Sequence, residues 1–89
     1  MAKVTLTANL KKYFPHRHLE VDGETVLAVL RKMDEIRPHF SSYILEDDAA
    51  IRRHVNIFID GSMLRDKSHV NVPVGEHTQI HIMQALSGG

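Results

Sequence analysis

The chain has no cysteine among its 89 residues. That excludes disulfides, iron–sulfur ligation, thiolate zinc sites and thiol nucleophiles supplied by this chain. It has no net charge, since 11 Lys and Arg balance 11 Asp and Glu. The electrostatic footprint of a nucleic-acid binder is therefore missing. It has no long apolar run: no stretch approaches a membrane span, and the start Met1-Ala2-Lys3-Val4-Thr5 lacks the apolar region of a secretion signal. These absences make the cytoplasm the expected location, with no membrane and no nucleic acid among the partners. Before the terminal Gly88-Gly89, glycine is sparse, with Gly23, Gly61 and Gly75 as lone turn residues, so no phosphate-cradling loop is present. No internal repeat and no linker interrupts the chain.

What is present reads as one small folded domain. Hydrophobic content of 43% and charged content of 25% are ordinary for a globular protein with a single modest core. Val4, Leu6 and Ala8 alternate with Thr5 and Thr7, the period of a half-buried strand. A polar and aromatic loop follows, and Leu19 and Val21 then alternate with His18, Glu20 and Asp22 as a second strand, pairing with the first as a hairpin. Thr25 is placed to cap a helix whose apolar stripe is Val26, Val29, Leu30, Met33 and Ile36, with Pro38 as its stop. Phe40 to Arg53 has weak periodicity and is expected to be a loop with a short helical turn, in which Tyr43, Ile44 and Leu45 tuck into the edge of the core.

The strongest strand signal is Val55, Ile57 and Ile59, with Asn56, Phe58 and Asp60 on the opposite side. Asp60-Gly61 is a two-residue hairpin signal, because both positions must tolerate positive φ. A short return strand near Ser62 to Arg65 follows. Pro73 bars Val70 to Val74 from a central strand. In the last strand, Thr78 to Gln84, Ile80 and Ile82 face the core, while Gln79, His81 and Met83 face out. The element order predicts an α+β fold, a mixed five-stranded sheet with one main helix packed on one face. Residues 1–83 form the domain and 84–89 a C-terminal tail. If the last strand lies centrally beside the first, the tail Gln84-Ala85-Leu86-Ser87-Gly88-Gly89 leaves the sheet as a free arm. Fully extended, it spans about 20 Å at ~3.3 Å per residue. A Gly-Gly end has no Cβ to obstruct a narrow channel, so its carboxylate can be threaded into another protein's active site.

No set of residues promises catalysis or metal binding. His16 and His18, and His77 and His81, are the close histidine pairs, and neither has a third ligand at zinc-type spacing. Asp47-Asp48 has no nucleophile placed beside it by the sequence. Phe58 and Met83, with His81, are instead expected on the face of the sheet away from the helix. An apolar patch with nothing to cover it marks a partner surface. The competing expectation is that the Phe40 to Arg53 loop folds over it.

Three stretches then carry a resemblance: His54-Val55-Asn56-Ile57-Phe58-Ile59-Asp60-Gly61, then Pro73-Val74-Gly75-Glu76, then Gln79-Ile80-His81-Ile82-Met83 running on to Leu86-Ser87-Gly88-Gly89. The chain resembles the ubiquitin-like β-grasp family, and within it the ThiS and MoaD sulfur carriers. With Arg52 and Arg53 just ahead of the Val-Asn-Ile-aromatic strand, it is most similar to carriers of the cysteine-biosynthesis type. The resemblance implies that a ubiquitin-activating-type adenylyltransferase and sulfurtransferase uses ATP to adenylate the Gly89 carboxylate, next to Gly88. A sulfur donor then displaces AMP and leaves a thiocarboxylate for a sulfur-accepting biosynthetic enzyme. The carrier would have no cofactor, metal or catalytic residue of its own, and Phe58, His81, Met83 and Leu86 would form the partner interface. Family tails commonly have proline where this chain has Gln84 or Ala85, and Val-Ala or Val-Thr in place of Leu86-Ser87; Leu86 keeps an apolar anchor. Two alternatives use the same tail: a modifier joined to lysines through Gly89, and the small subunit of a molybdopterin synthase.

Overall fold

The structure, a computed structural model, describes residues 1–7, 10, 14, 17–68 and 70–84. Strand β1 (Ala2–Leu6) pairs antiparallel with β2 (His18–Val21), and helix α1 (Val26–Met33) follows. A single short turn of helix, α2 (Ser41–Ile44), leads to β3 (Val55–Ile59), β4 (Ser62–Met63) and β5 (Gln79–Gln84). The sheet order is β2-β1-β5-β3-β4. Strand β5 runs parallel to β1 and antiparallel to β3, so the last strand is the central one. Gln84, read from the sequence both as the end of the last strand and as the first residue of the tail, is the last residue of β5 and lies opposite Val55.

The hydrophobic patterns decide which side of the sheet is covered. Val4 and Leu6 of β1, Val55 and Ile57 of β3, and Ile80 and Ile82 of β5 are buried in one cluster with Val26, Val29, Leu30 and Met33 of α1. Phe14 and Phe40 meet edge to face in the same cluster, ring centroids 4.8 Å apart. This is a two-layer arrangement, one helix face on one sheet face.

Helix α1 is anchored at its start by the irregular stretch 70–74. The N–H of Val26 donates to the carbonyl of Val72 (3.0 Å), that of Leu27 to Val70 (2.7 Å), and that of Ala28 to the Thr25 hydroxyl (3.1 Å). Three first-turn donors that a helix leaves free are thus satisfied. The turn before it is tight. A Cβ on Gly23 would lie 2.7 Å from Val29 Cγ2 and 2.8 Å from the Val29 backbone nitrogen, so only glycine lets the chain pass this close to α1.

The helix ends at Met33, earlier than Pro38 predicts, and Ile36 is 51% exposed instead of completing the buried stripe. The cause is a change of winding. Asp34, Glu35 and Ile36 donate to the carbonyls three residues back, Arg31, Lys32 and Met33. That tighter turn has about 3.0 residues per turn and carries Ile36 off the face a 3.6-residue period would give it. Asp34 stops the helix and starts the next element, its carboxylate accepting from the Ser41 N–H (2.7 Å) and Ser41 hydroxyl (2.6 Å). Within the following loop Ile44 and Leu45 are buried as predicted, but Tyr43 is 38% exposed.

Between β3 and β4 the turn residues have φ of 50° at Asp60 and 87° at Gly61, the two positive values that a primed hairpin turn requires. Asp60 also ties this turn to the central strand. Its N–H donates to the Gln79 carbonyl, and its Oδ1 accepts from the Gln79 N–H, each at 2.8 Å.

Candidate functional site

Side chains along β5 alternate sharply in exposure. Ile80 and Ile82 are 1% and 0% exposed, whereas Met83 is 41% exposed and His81 half-buried. Cross-strand register extends this alternation over the whole sheet. His81 lies opposite Phe58 on β3 and Thr5 on β1; Phe58 lies opposite Met63, and Thr5 opposite His18. Because paired residues point to the same side, the row His18, Thr5, His81, Phe58, Met63 crosses all five strands on the face away from α1. Met83 and its partner Asn56 form the next row toward the end of β5.

The structure therefore brings Phe58, His81 and Met83 together on one open face, as the sequence predicts. The loop from Phe40 to Arg53 does not cover them. Phe40, Ile44, Leu45 and Ile51 pack into the core cluster on the helix side. Met63, 41% exposed and directly opposite Phe58, belongs to the same patch and was missed. Its signal was available: a two-residue turn at Asp60-Gly61 pairs Ile59 with Ser62 and Phe58 with Met63.

The end of β5 is held on both sides. The Thr7 N–H donates to the Ile82 carbonyl (3.1 Å), the Gln84 N–H donates to the Thr7 hydroxyl (3.5 Å), and Val55 of β3 lies opposite Gln84. Arg17 stands at the same end, its Nε donating to the Leu6 carbonyl at 3.3 Å. Leu86, Gly88 and Gly89, together with Ala85 and Ser87, lie outside the described residues, as does His16.

Glu46, Asp47 and Asp48 line a solvent-open depression of about 640 Å³ with Ala50, Ile51 and Arg53, a lining without a hydroxyl, thiol or lysine amine. Arg52 holds Glu46 at 3.0 Å and donates to the Ser42 carbonyl at 2.8 Å, so this loop reads as a structural ion-pair corner. Among the described residues, no three histidine or carboxylate side chains are grouped so as to hold a metal ion. No helix among them is long and apolar enough to cross a membrane.

No family model matches the chain, and no curated protein matches it. Solved structures do. A chain of the BexX/CysO complex of Amycolatopsis orientalis superposes with a TM-score of 0.87 at 17% identity, covering 100% of both chains. Small archaeal modifier protein 1 (SAMP1) of Methanosarcina acetivorans gives 0.80 at 28% identity, over 99% of this chain and 95% of its own. Urm1 of Sulfolobus solfataricus gives 0.71 at 27% identity, over 92% and 97%. These matches span nearly the full length of both partners in every case, and they agree with the central β5 and the single main helix described above. The chain has the ubiquitin-like β-grasp fold.

Proposed function

We propose that the protein is a sulfur carrier that works through the carboxylate of Gly89. The observation that best supports this reading is the position of β5. It is the central strand, held by β1 and β3 up to Gln84, and it ends beside an open face bearing Phe58, His81 and Met83. A chain leaving from such a strand starts from a fixed base, and the neighbouring face gives a partner something to grip. A neighbour of the same fold solved as a complex, BexX/CysO, fits a protein that acts through partners.

The chemistry follows from the weakness of a carboxylate as an electrophile. A ubiquitin-activating-type enzyme joins the Gly89 carboxylate to the α-phosphate of ATP, and pyrophosphate leaves. With sulfide as donor, the sulfur attacks the acyl carbon, the carbon–oxygen bond to phosphate breaks, and AMP leaves a thiocarboxylate with no change of oxidation state. With a persulfide donor, the same attack gives an acyl disulfide, and a thiol must then reduce the sulfur–sulfur bond. ATP and the catalytic groups belong to the enzyme, in the cytoplasm where ATP is supplied. The thiocarboxylate passes its sulfur to an accepting biosynthetic enzyme.

Intact mass after incubation with such an enzyme, ATP and sulfide tests the reading. Exchange of one oxygen for sulfur at the C-terminus is expected, and a chain that remains a carboxylate while the enzyme thiolates another carrier sinks it. Removing Gly88 and Gly89 should abolish the exchange while leaving the melting temperature unchanged.

One observation favours a second reading. SAMP1 is named as a modifier, and it is 28% identical to this chain over 99% of its length. Under that reading Gly89 forms an isopeptide bond with lysines of target proteins. Covalent ladders in extracts that vanish on removal of Gly89 would identify it.

A further inference from the structure

The open face is divided in two. Its β3–β4–β5 half carries Phe58, Met63 and Met83, while its β1–β2 half carries Lys3, Thr5, His18 and Glu20, with Gln79 of β5 beside them. These last five side chains line a depression of about 490 Å³. Lys3 and Glu20 are directly opposite each other in the antiparallel register. Opposite charges so placed ordinarily stabilise a sheet as a cross-strand pair. Here they do not close one: among the described residues the ion pairs are Lys32–Glu35 and Arg52–Glu46. Lys3 and Glu20 stand exposed at the depression. Thr5 Oγ1 and His18 Nδ1, 3.3 Å apart, form part of its wall.

Two arguments connect this half to the docking of a partner. The first is area. With strands about 4.8 Å apart and the longest about 17–20 Å long, the whole sheet presents at most roughly 400 Å² of face. A stable interface takes about 800 Å² from each partner, so the apolar half alone falls far short of it. A partner that holds the tail and covers Phe58 and His81 is one strand spacing from Thr5, so the depression is the adjoining surface over which it can extend. The second is charge. With a formal net charge of zero, the chain has no net charge to draw partners of one sign. Discrimination then depends on local charges at the contact, and Lys3 and Glu20 are the opposed, unpaired charges on this face.

We infer that the β1–β2 half of the open face is the specificity zone for the adenylating enzyme, which presents a carboxylate to Lys3 and a cationic group to Glu20. This rests on the carrier reading above. The apolar half supplies contact area that many partners could use; the polar half selects among them.

Binding of the full chain to the adenylating enzyme from the same genome, measured by calorimetry, tests this with charge reversals. Lys3→Glu and Glu20→Lys should each raise Kd about tenfold, with a weaker salt dependence than wild type. The double reversal again sets opposite charges across from each other but leaves both mismatched to the partner, so it should bind no better than either single variant. Recovery of wild-type affinity in the double variant would overturn the inference by assigning the two charges to each other. So would a Kd unchanged by both single reversals. Lys3→Gln and Glu20→Gln, which add no repulsion, should weaken binding in the same direction by less, and they carry the test if a reversal lowers the melting temperature. Wild-type chain that fails to bind the enzyme would defeat the carrier reading and this inference together. Intact wild-type binding with insensitive charges would defeat this inference alone.

Discussion

Ile82 and Met83 are consecutive residues of the same central strand, yet one is 0% and the other 41% exposed. Both are large and apolar, and both sit in the ladder between β1 and β3, so neither composition nor secondary structure separates them. The difference is the face of the sheet. On the Ile82 side, α1, α2 and the crossing at 70–74 cover the sheet; on the Met83 side, no described element does. An apolar side chain on the first side holds the domain together. On the second it stays at the surface, adds little to the core and is open to contact with another molecule. The comparison makes stability and docking separable properties of adjacent residues.

The largest expected effect is on the covered face. Ile82→Ala removes a fully buried side chain from the centre of the core and should cost about 2–5 kcal/mol, read as a lowered urea midpoint with little change in slope. For a domain of this size that approaches the whole stability, so partial unfolding at ambient temperature is the expected result. A loss below about 1 kcal/mol would mean that the two faces are less distinct than their exposure indicates.

Next comes the cover itself. Gly23→Ala places a methyl group 2.7 Å from Val29 Cγ2 and 2.8 Å from a backbone nitrogen of α1, which cannot move without shifting the helix. The expected cost is about 1–3 kcal/mol, characteristic of overpacking. Gly75→Ala is the control, because a Cβ there meets only the Thr78 hydroxyl at 3.8 Å. If the two variants melted together, the close approach of the 22–24 turn to α1 would not be what fixes the helix on the covered face.

Much of this was legible in the sequence because two-residue alternation and a capped apolar stripe are local signals. Val55, Ile57, Ile80 and Ile82 announce both a strand and its buried face, and Thr25 announces where α1 begins. The far end of α1 was misread, since no local signal marks the switch to a tighter turn after Met33, where Asp34 bonds Ser41 seven residues away. Tyr43 was misplaced for a related reason: a single helical turn is too short for periodicity to choose a face. Phe58, His81 and Met83 could be assigned to one face from their own strands. Their continuation to Thr5, Lys3, His18 and Glu20 could not, because the parallel register of β1 with β5 joins segments more than 70 residues apart with no turn to set it. The polar half of the open face is thus a product of topology, and no window along the chain contains it.

The smallest expected effect on stability is also the one that most sharpens the comparison. Met83→Ala alters a side chain that contributes little to the fold, so the urea midpoint should move by no more than about 0.5 kcal/mol equivalent. Its opposite Asn56 and its neighbours Phe58 and His81 keep their places, because the ladder from β3 to β5 runs through backbone groups. Affinity for the adenylating enzyme should nevertheless fall about tenfold, since a large apolar side chain near the centre of a contact can carry 1–2 kcal/mol of binding. Ile82→Ala cannot give that pattern, because any loss of binding there would accompany loss of the fold. A Met83 variant that binds as well as wild type would remove the apolar half from the interface and leave the tail and the Lys3–Glu20 zone to account for recognition. A variant that instead unfolds with Ile82→Ala would show that the open face is covered after all, and by the protein itself.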